Sequence, residues 1–311
     1  MDNSILVKPL RGIIPPMITP LQDNRTLDVK GLEKLIEHIL AGGVNGLFIL
    51  GTTGESPGLS YSLRYEMVER VCAQVDKRVP VLVGITDTSF DESLNLAEKA
   101  AEHGVDALVL APPYYFASSQ PELLEYLSHL SERLPLPMFL YNMPVHTKVM
   151  IEPATVETAA EFPNIIGLKD SSADLVYLSQ VQYTLRNKSE FSFLVGPEAI
   201  TPHFVLMGGH GGVNGGANMF PRLYVDMYNA AAEKDFDRLL PLHKKVLQIT
   251  DTIYSVGKYG SSLLKGIKCT LSIMGICDDF MAEPFHRFKS KERHIIRENL
   301  KELKIDGYKI E

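Results

Sequence analysis

Two hydrophobic patterns alternate along this chain. Short unbroken apolar runs recur about every 25 residues, and between them lie longer stretches in which apolar residues return every three or four positions. An unbroken apolar run is the mark of a strand buried on both faces, and the longer period marks a helix with one face packed. The runs predict eight strands, at residues 12–18, 46–50, 81–84, 107–110, 138–141, 165–169, 192–195 and 211–213. In the first intervening helix Leu32, Leu35, Ile36 and Ile39 share a face, and in the third Leu94, Ala97 and Ala101 do so before a closing Gly104. Strands that alternate with helices require a parallel sheet. Eight such units fit a closed (β/α)8 TIM barrel better than an open doubly wound sheet.

The alternation stops near Leu223, after which the chain reads as helix to its end. Leu239, Leu242, Val246 and Ile249 lie on one face, and a charged final helix runs through residues 295–303. The expected organisation is a catalytic barrel over residues 8–235 and a C-terminal helical extension over residues 236–311. No Gly/Ser-rich linker divides them, so the extension should dock on the barrel or serve an oligomer contact.

Composition narrows the function classes. With 311 residues, 45% of them hydrophobic and 22% charged, the chain has the size of one large domain plus an extension. A net charge of -7 argues against nucleic acid or an anionic membrane as partner. Apolar stretches are broken well before the roughly 18 residues of a membrane span, and the start Met1-Asp2-Asn3-Ser4 lacks a basic segment followed by an apolar core. A cytoplasmic location is expected. Cys72, Cys269 and Cys277 are odd in number and form no Cys-x-x-Cys pair, and the histidines show no metal-ligand spacing. Neither a disulfide framework nor a metal site is expected.

The candidate chemistry falls where a barrel puts it, at the carboxyl ends of the strands. Lys169 closes the run Ile165-Ile166-Gly167-Leu168. An amine at the mouth of a buried strand loses hydration, which favours its neutral, nucleophilic form and suits it to Schiff-base formation with a carbonyl. A lone strand-end lysine also has structural readings, held by a carboxylate such as Asp170 or reaching to water. A second signal lies 28 residues upstream, where Tyr141 ends another short apolar strand with a phenol. On the same face fall Gly51-Thr52-Thr53-Gly54-Glu55-Ser56, whose hydroxyls and amides could hold a carboxylate or simply cap a turn, and Pro112-Pro113-Tyr114-Tyr115. Asn142-Met143-Pro144-Val145-His146-Thr147, Gly196-Pro197-Glu198 and the glycine-rich residues 208–218 complete it.

These pieces together resemble the dihydrodipicolinate synthase and N-acetylneuraminate lyase family of pyruvate-dependent class I aldolases. The resemblance runs from Gly12 into the C-terminal helices. Its strongest parts are residues 51–56, Tyr141-Asn142-x-Pro144, Gly167-Leu168-Lys169-Asp170-Ser171 and the step from Tyr141 to Lys169. It implies that Lys169 captures the C2 carbonyl of pyruvate or another 2-oxo acid, with Tyr141 as proton relay and Thr53 as its hydroxyl partner. Tyr115 resembles the tyrosine that completes the relay from a neighbouring subunit, which implies a homo-oligomer, a dimer or tetramer. Thr52 and Thr53 would hold the pyruvate carboxylate, and Val213 would offer a backbone carbonyl near the nucleophile. No cofactor is implied.

The second substrate is where the chain departs from its relatives. The synthases usually carry an arginine at the position of His146, and histidine cannot supply that forked cation. The lyases hold sugar hydroxyls with acids after the seventh strand and a serine near the eighth; Glu198 keeps one acid, whereas Pro197, Ala199 and Gly215 do not match. A carboxylate that accepts from hydroxyls suits a polyhydroxylated 2-oxo acid. The expected activity is a Schiff-base aldolase or lyase for a 2-oxo sugar acid. Condensation of pyruvate with aspartate semialdehyde, or dehydration of a 2-oxo sugar acid through the same lysine, are the alternatives. A non-catalytic barrel would be expected to have lost the lysine or the tyrosine.

Overall fold

The eight apolar runs form eight parallel strands. They are β1 (Gly12–Ile13), β2 (Leu47–Ile49), β3 (Val81–Gly84), β4 (Ala107–Leu110), β5 (Met138–Asn142), β6 (Ile165–Asp170), β7 (Ser192–Val195) and β8 (Gly211–Gly212), and every residue in them is buried. The computed structural model describes residues 5–305 and 307, so residues 1–4, with the start of the chain, and the last residues of the expected extension lie outside it. Hydrogen-bonded neighbours run β1-β8-β7-β6-β5-β4-β3-β2. Closure between the two ends comes from the chain just after β1. Asn45 N donates to Ile13 O at 2.8 Å, Phe48 N to Pro15 O at 3.0 Å and Met17 N to Phe48 O at 2.8 Å. The strand expected over residues 12–18 is cut to two residues because Pro15 and Pro16 have no N–H to give to a ladder.

The helices follow in chain order: α1 (Val29–Ala41), α2 (Tyr61–Val75), α3 (Phe90–Glu102), α4 (Gln120–Ser131), α5 (Pro144–Thr147), α6 (Pro153–Ala159), α7 (Leu175–Thr184), α8 (Thr201–Leu206) and α9 (Pro221–Ala232). Beyond them come α10 (Phe236–Ile249), a π-helical turn at Thr250–Tyr254, α11 (Ser262–Ile273) and α12 (Ser290–Leu303). Several starts are set by short polar side chains: Asp28, Ser60, Ser89 and Asp174 each accept a hydrogen bond from a backbone amide in the first turn. Leu32, Leu35, Ile36 and Ile39 are buried as their spacing predicts. Among the described residues, no helix is long and apolar enough to cross a membrane.

The strands sort their side chains by alternation. Phe48, Leu82, Val109, Phe139, Ile166 and Leu194 fill the barrel interior, while Leu47, Ile49, Val83, Leu108 and Leu140 join the larger apolar layer under the helices. At the end of β5 the same alternation turns Tyr141 inward. The eighth strand gives up side chains for close approach: a Cβ on Gly211 would collide with the backbone of Gly12 on β1.

One contact fixes the turn that follows β2. Leu50 has φ +56°, the left-handed region that a β-carbon disfavours, and its carbonyl oxygen lies where a Cβ on Gly84 would sit. Gly84→Ala should therefore lower unfolding stability by about 1–3 kcal/mol, the usual cost of forcing an extra carbon into a packed position. Denaturant unfolding checks this, and an unchanged midpoint would mean that the turn yields freely.

Candidate active site

The site begins with strand register. Tyr141 on β5 pairs directly with Lys169 on β6, and Asn142 pairs with Asp170. Because side chains alternate along a strand, one pair faces the barrel interior and the next faces away. Lys169 is only 5% exposed, and its amine lies 3.4 Å from the centre of the Tyr141 ring. It also donates to Ser171 Oγ at 3.2 Å. Among the described residues no carboxylate forms a salt bridge with it. Asp170 is spoken for elsewhere: it accepts from Asn142 Nδ2 at 2.7 Å, Ser172 Oγ at 2.9 Å and Ser172 N at 3.1 Å. The reading in which Asp170 holds the lysine is thus not the arrangement found.

Burial and neighbouring charge act in opposite directions on the Lys169 amine. Burial pushes the Lys169 pKa below its ordinary value, and the opposing pull of Tyr141 and Asp170 does not restore it. Burial would raise the Tyr141 phenol, yet the Lys169 ammonium and hydrogen bonds from Lys169, Thr52 and Ser171 outweigh it and leave the phenol below its usual range. An amine and a phenol whose pKa values are both lowered sit on one rung of the sheet.

The hydroxyl beside the phenol differs from the one expected. Tyr141 OH lies 3.3 Å from Thr52 Oγ1, so the structure gives to Thr52 the contact that the sequence reading assigned to Thr53. Thr53, the next residue in the turn, is partly exposed. The turn is pinned by Glu55 N donating to Thr52 O at 3.1 Å, Ser56 N to Gly51 O at 3.4 Å and Thr19 Oγ1 to Gly54 O at 2.7 Å. Ser171 was not singled out from the sequence beyond its place in the motif. Room for it depends on Gly196, where a Cβ would collide with Ser171 Oγ. A hydroxyl two residues past the lysine was the available signal.

The remaining candidates divide. Val213 fills the interior beside Tyr141, and its amide donates to Val195 O at 2.8 Å. His146 is exposed on the short α5; partial burial and the charges of Lys148 and Lys169 push its pKa down, so it lies within the field of the site. Tyr115 stands apart in the single chain: it is 78% exposed and packs edge-on against Phe116, itself 82% exposed, with ring centres 5.1 Å apart.

Glu198 requires a correction. The sequence reading turned it toward substrate hydroxyls, but its carboxylate is buried and already occupied. Oε1 accepts from Gly216 N at 2.6 Å and from Tyr254 OH at 3.0 Å, while Oε2 accepts from Tyr224 OH and from Tyr254 OH at 3.2 Å. Two carboxylate oxygens offer about four acceptor positions, and three donors, with the Tyr254 hydroxyl shared between the two oxygens, take most of them. Burial nevertheless raises its pKa, with the hydrogen bonds from Tyr224, Gly216 and Tyr254 pulling the other way. Gly215 lies against the same group: a Cβ there would sit 3.3 Å from Ile267 Cδ1 and 3.5 Å from Glu198 Oε1. Glu198 therefore braces the loop after β8.

Comparison with known proteins shows the family. The model of the dihydrodipicolinate synthetase family matches residues 9–303. The chain is 34% identical over 261 residues to a protein of Escherichia coli K12 named as a probable 2-dehydro-3-deoxy-D-pentonate aldolase, covering 83% of this chain and 86% of that one. It is similar to a solved dihydrodipicolinate synthase from Bacteroides thetaiotaomicron, with 57% identity, TM-score 0.93, and coverage of 96% of this chain and 100% of that one. A prophage protein of E. coli K12 solved in complex with pyruvate aligns at 29% identity and TM-score 0.89, over 95% of this chain and 99% of its own.

The depressed Lys169 pKa has a consequence for stability. Between its folded value and the ordinary 10.5, the unfolded chain binds more protons than the folded one, so this group's contribution to stability rises with pH across that window. Relative to Lys169→Met, the wild-type protein should gain stability as pH climbs toward 10.5. Urea unfolding of both proteins at several pH values measures it, and a difference that is flat or falls with pH would contradict the assignment.

Proposed function

The chain belongs to the dihydrodipicolinate synthetase family, and we propose that it acts there as a Schiff-base class I aldolase on a hydroxylated 2-oxo acid. The observation that carries the reading is the buried Lys169 amine, which forms no carboxylate salt bridge among the described residues and lies over the ring of its register partner Tyr141. In the cleavage direction the neutral amine adds to the C2 carbonyl, and loss of water leaves an iminium. The iminium draws electrons from the C3–C4 bond. Tyr141, helped by Thr52, takes the proton of the C4 hydroxyl as the aldehyde leaves, and returns a proton to C3 of the enamine. Water then releases pyruvate and restores the amine. Thr52 and Thr53 are positioned in the turn to receive the carboxylate, and the pyruvate complex of the E. coli prophage relative supports pyruvate as the three-carbon partner.

His146 supports a substrate without a distal carboxylate. It stands where the resemblance puts the synthases' arginine, and the charges acting on it are those of Lys148 and Lys169, neither of which forms a fork. The E. coli aldolase relative supports the same class. One observation favours a second reading, condensation of pyruvate with aspartate semialdehyde: the 57% identical relative bears the synthase name. The exposed Tyr115 and Phe116 support a homo-oligomer whose second copy covers them. The proposed location is the cytoplasm.

Borohydride reduction in the presence of pyruvate should add a covalent mass to Lys169, and Lys169→Ala should abolish it. A wild-type protein left unlabelled beside a Schiff-base aldolase labelled in the same buffer would remove the mechanism. For specificity, a panel of aldehydes should show turnover of hydroxylated ones and weak turnover of aspartate semialdehyde. His146→Arg should raise the semialdehyde reaction roughly 10-fold or more, the scale of one charge-assisted hydrogen bond. Efficient use of the semialdehyde by the wild-type protein, with no hydroxylated aldehyde accepted, would restore the synthase reading.

A further inference from the structure

The turn that carries Thr52 and Thr53 ends in Glu55, whose carboxylate is not at the surface. It forms a salt bridge with Lys268 of α11, and both side chains are buried. The second carboxylate oxygen accepts from Ala282 N at 3.0 Å, and Lys268 Nζ donates to Phe280 O at 2.7 Å. The connection from α11 toward α12 is thereby tied to the turn after β2, across 213 residues of sequence from Glu55 to Lys268.

A buried ion pair is a poor way to gain stability alone, because apolar side chains of similar volume usually do as well. This pair sits where geometry is demanding. Glu55 has φ +57° and Leu50 φ +56°, so non-glycine residues in the left-handed region bracket the turn at both ends. The Glu55 amide donates to Thr52 O, which fixes the peptide that presents the Thr52 hydroxyl to Tyr141. We propose that Glu55 and Lys268 are positioning residues for proton transfer: their buried ion pair clamps the catalytic turn so that Thr52 stays on the Tyr141 phenol, which makes the C-terminal helices part of the reaction apparatus. The inference rests on the functional reading given above.

The test separates Schiff-base formation, which Lys169 performs, from the proton transfer that Tyr141 and Thr52 serve. Wild-type protein is first trapped with pyruvate and borohydride, and exchange of the pyruvate methyl protons into D2O is followed by NMR. Absence of both in the wild type would defeat the functional reading itself. With both present, Glu55→Asp keeps the two buried charges but withdraws the carboxylate by one methylene, and Glu55→Gln/Lys268→Met removes both charges together. In each folded variant, judged by circular dichroism and thermal melting, trapping at saturating pyruvate should match wild type. Methyl exchange should fall by about 10-fold or more, within the range that an ångström of misplacement costs. Exchange within two-fold of wild type would overturn the proposal, as would parallel loss of trapping and exchange. Failure of both variants to fold would make the pair a requirement of the fold and equally overturn a specific role in proton transfer.

Discussion

The proposed chemistry depends on the register of β5 against β6, which sets Tyr141 opposite Lys169 and sends Asn142 and Asp170 to the other face. A slip of β6 by one residue would turn its side chains over, placing the Asp170 carboxylate inside the barrel and the Lys169 amine among the helices. The register is held from both sides. On the interior, Phe139 and Ile166 pack with Phe48 and Leu194; on the exterior, the bond between Asn142 and Asp170 locks the next rung. Asn142 Oδ1 also accepts from Ile151 N at 3.0 Å, which ties the segment after α5 to the strand end.

Burial then does different work on each ionisable group. Among the described residues Lys169 has no carboxylate salt bridge, so desolvation lowers its proton affinity, as the proposed nucleophile requires. Lys268 and Glu55 are buried as deeply but paired, and their charges hold position instead of reacting. Glu198 is satisfied by two phenols and a backbone amide, which makes it a brace for the glycine-rich loop after β8. The same loss of water thus lowers the pKa of an amine where a carboxylate partner is withheld and leaves held groups where partners are supplied.

The C-terminal helices join this arrangement through the barrel's carboxyl face. Tyr254 reaches Glu198 from the π-helical turn after α10, Lys268 reaches Glu55 from α11, and Ile267 and Leu263 lie against Gly215. Together they hold the turn after β2 and the loops after β7 and β8. The insertion that makes the π-turn is a common device at functional sites, and here it aims a phenol at a buried carboxylate.

How much of this was legible follows from the range of each interaction. The strands could be read from sequence because burial on both faces leaves an unbroken apolar signal, and β3, β4 and β7 begin and end where that signal does. Only the prolines blurred β1. Lys169 and Tyr141 stood out because a polar group that ends an apolar run is a local anomaly, and the family resemblance joined them. The choice between Thr52 and Thr53 was not local. It depends on left-handed residues at both ends of the turn, held there by Gly84 on the next strand and by Lys268 far along the chain. Glu198 was misread for the same reason: its phenol donors lie 26 and 56 residues away, on helical segments whose sequence gives no sign that they point at it. Sequence determined the elements and singled out Lys169 as the candidate nucleophile, because periodicity and desolvation act within a few residues. Tertiary structure alone decided which hydroxyl lies beside the phenol and which carboxylates are already engaged, because those depend on partners that only folding brings within hydrogen-bond reach.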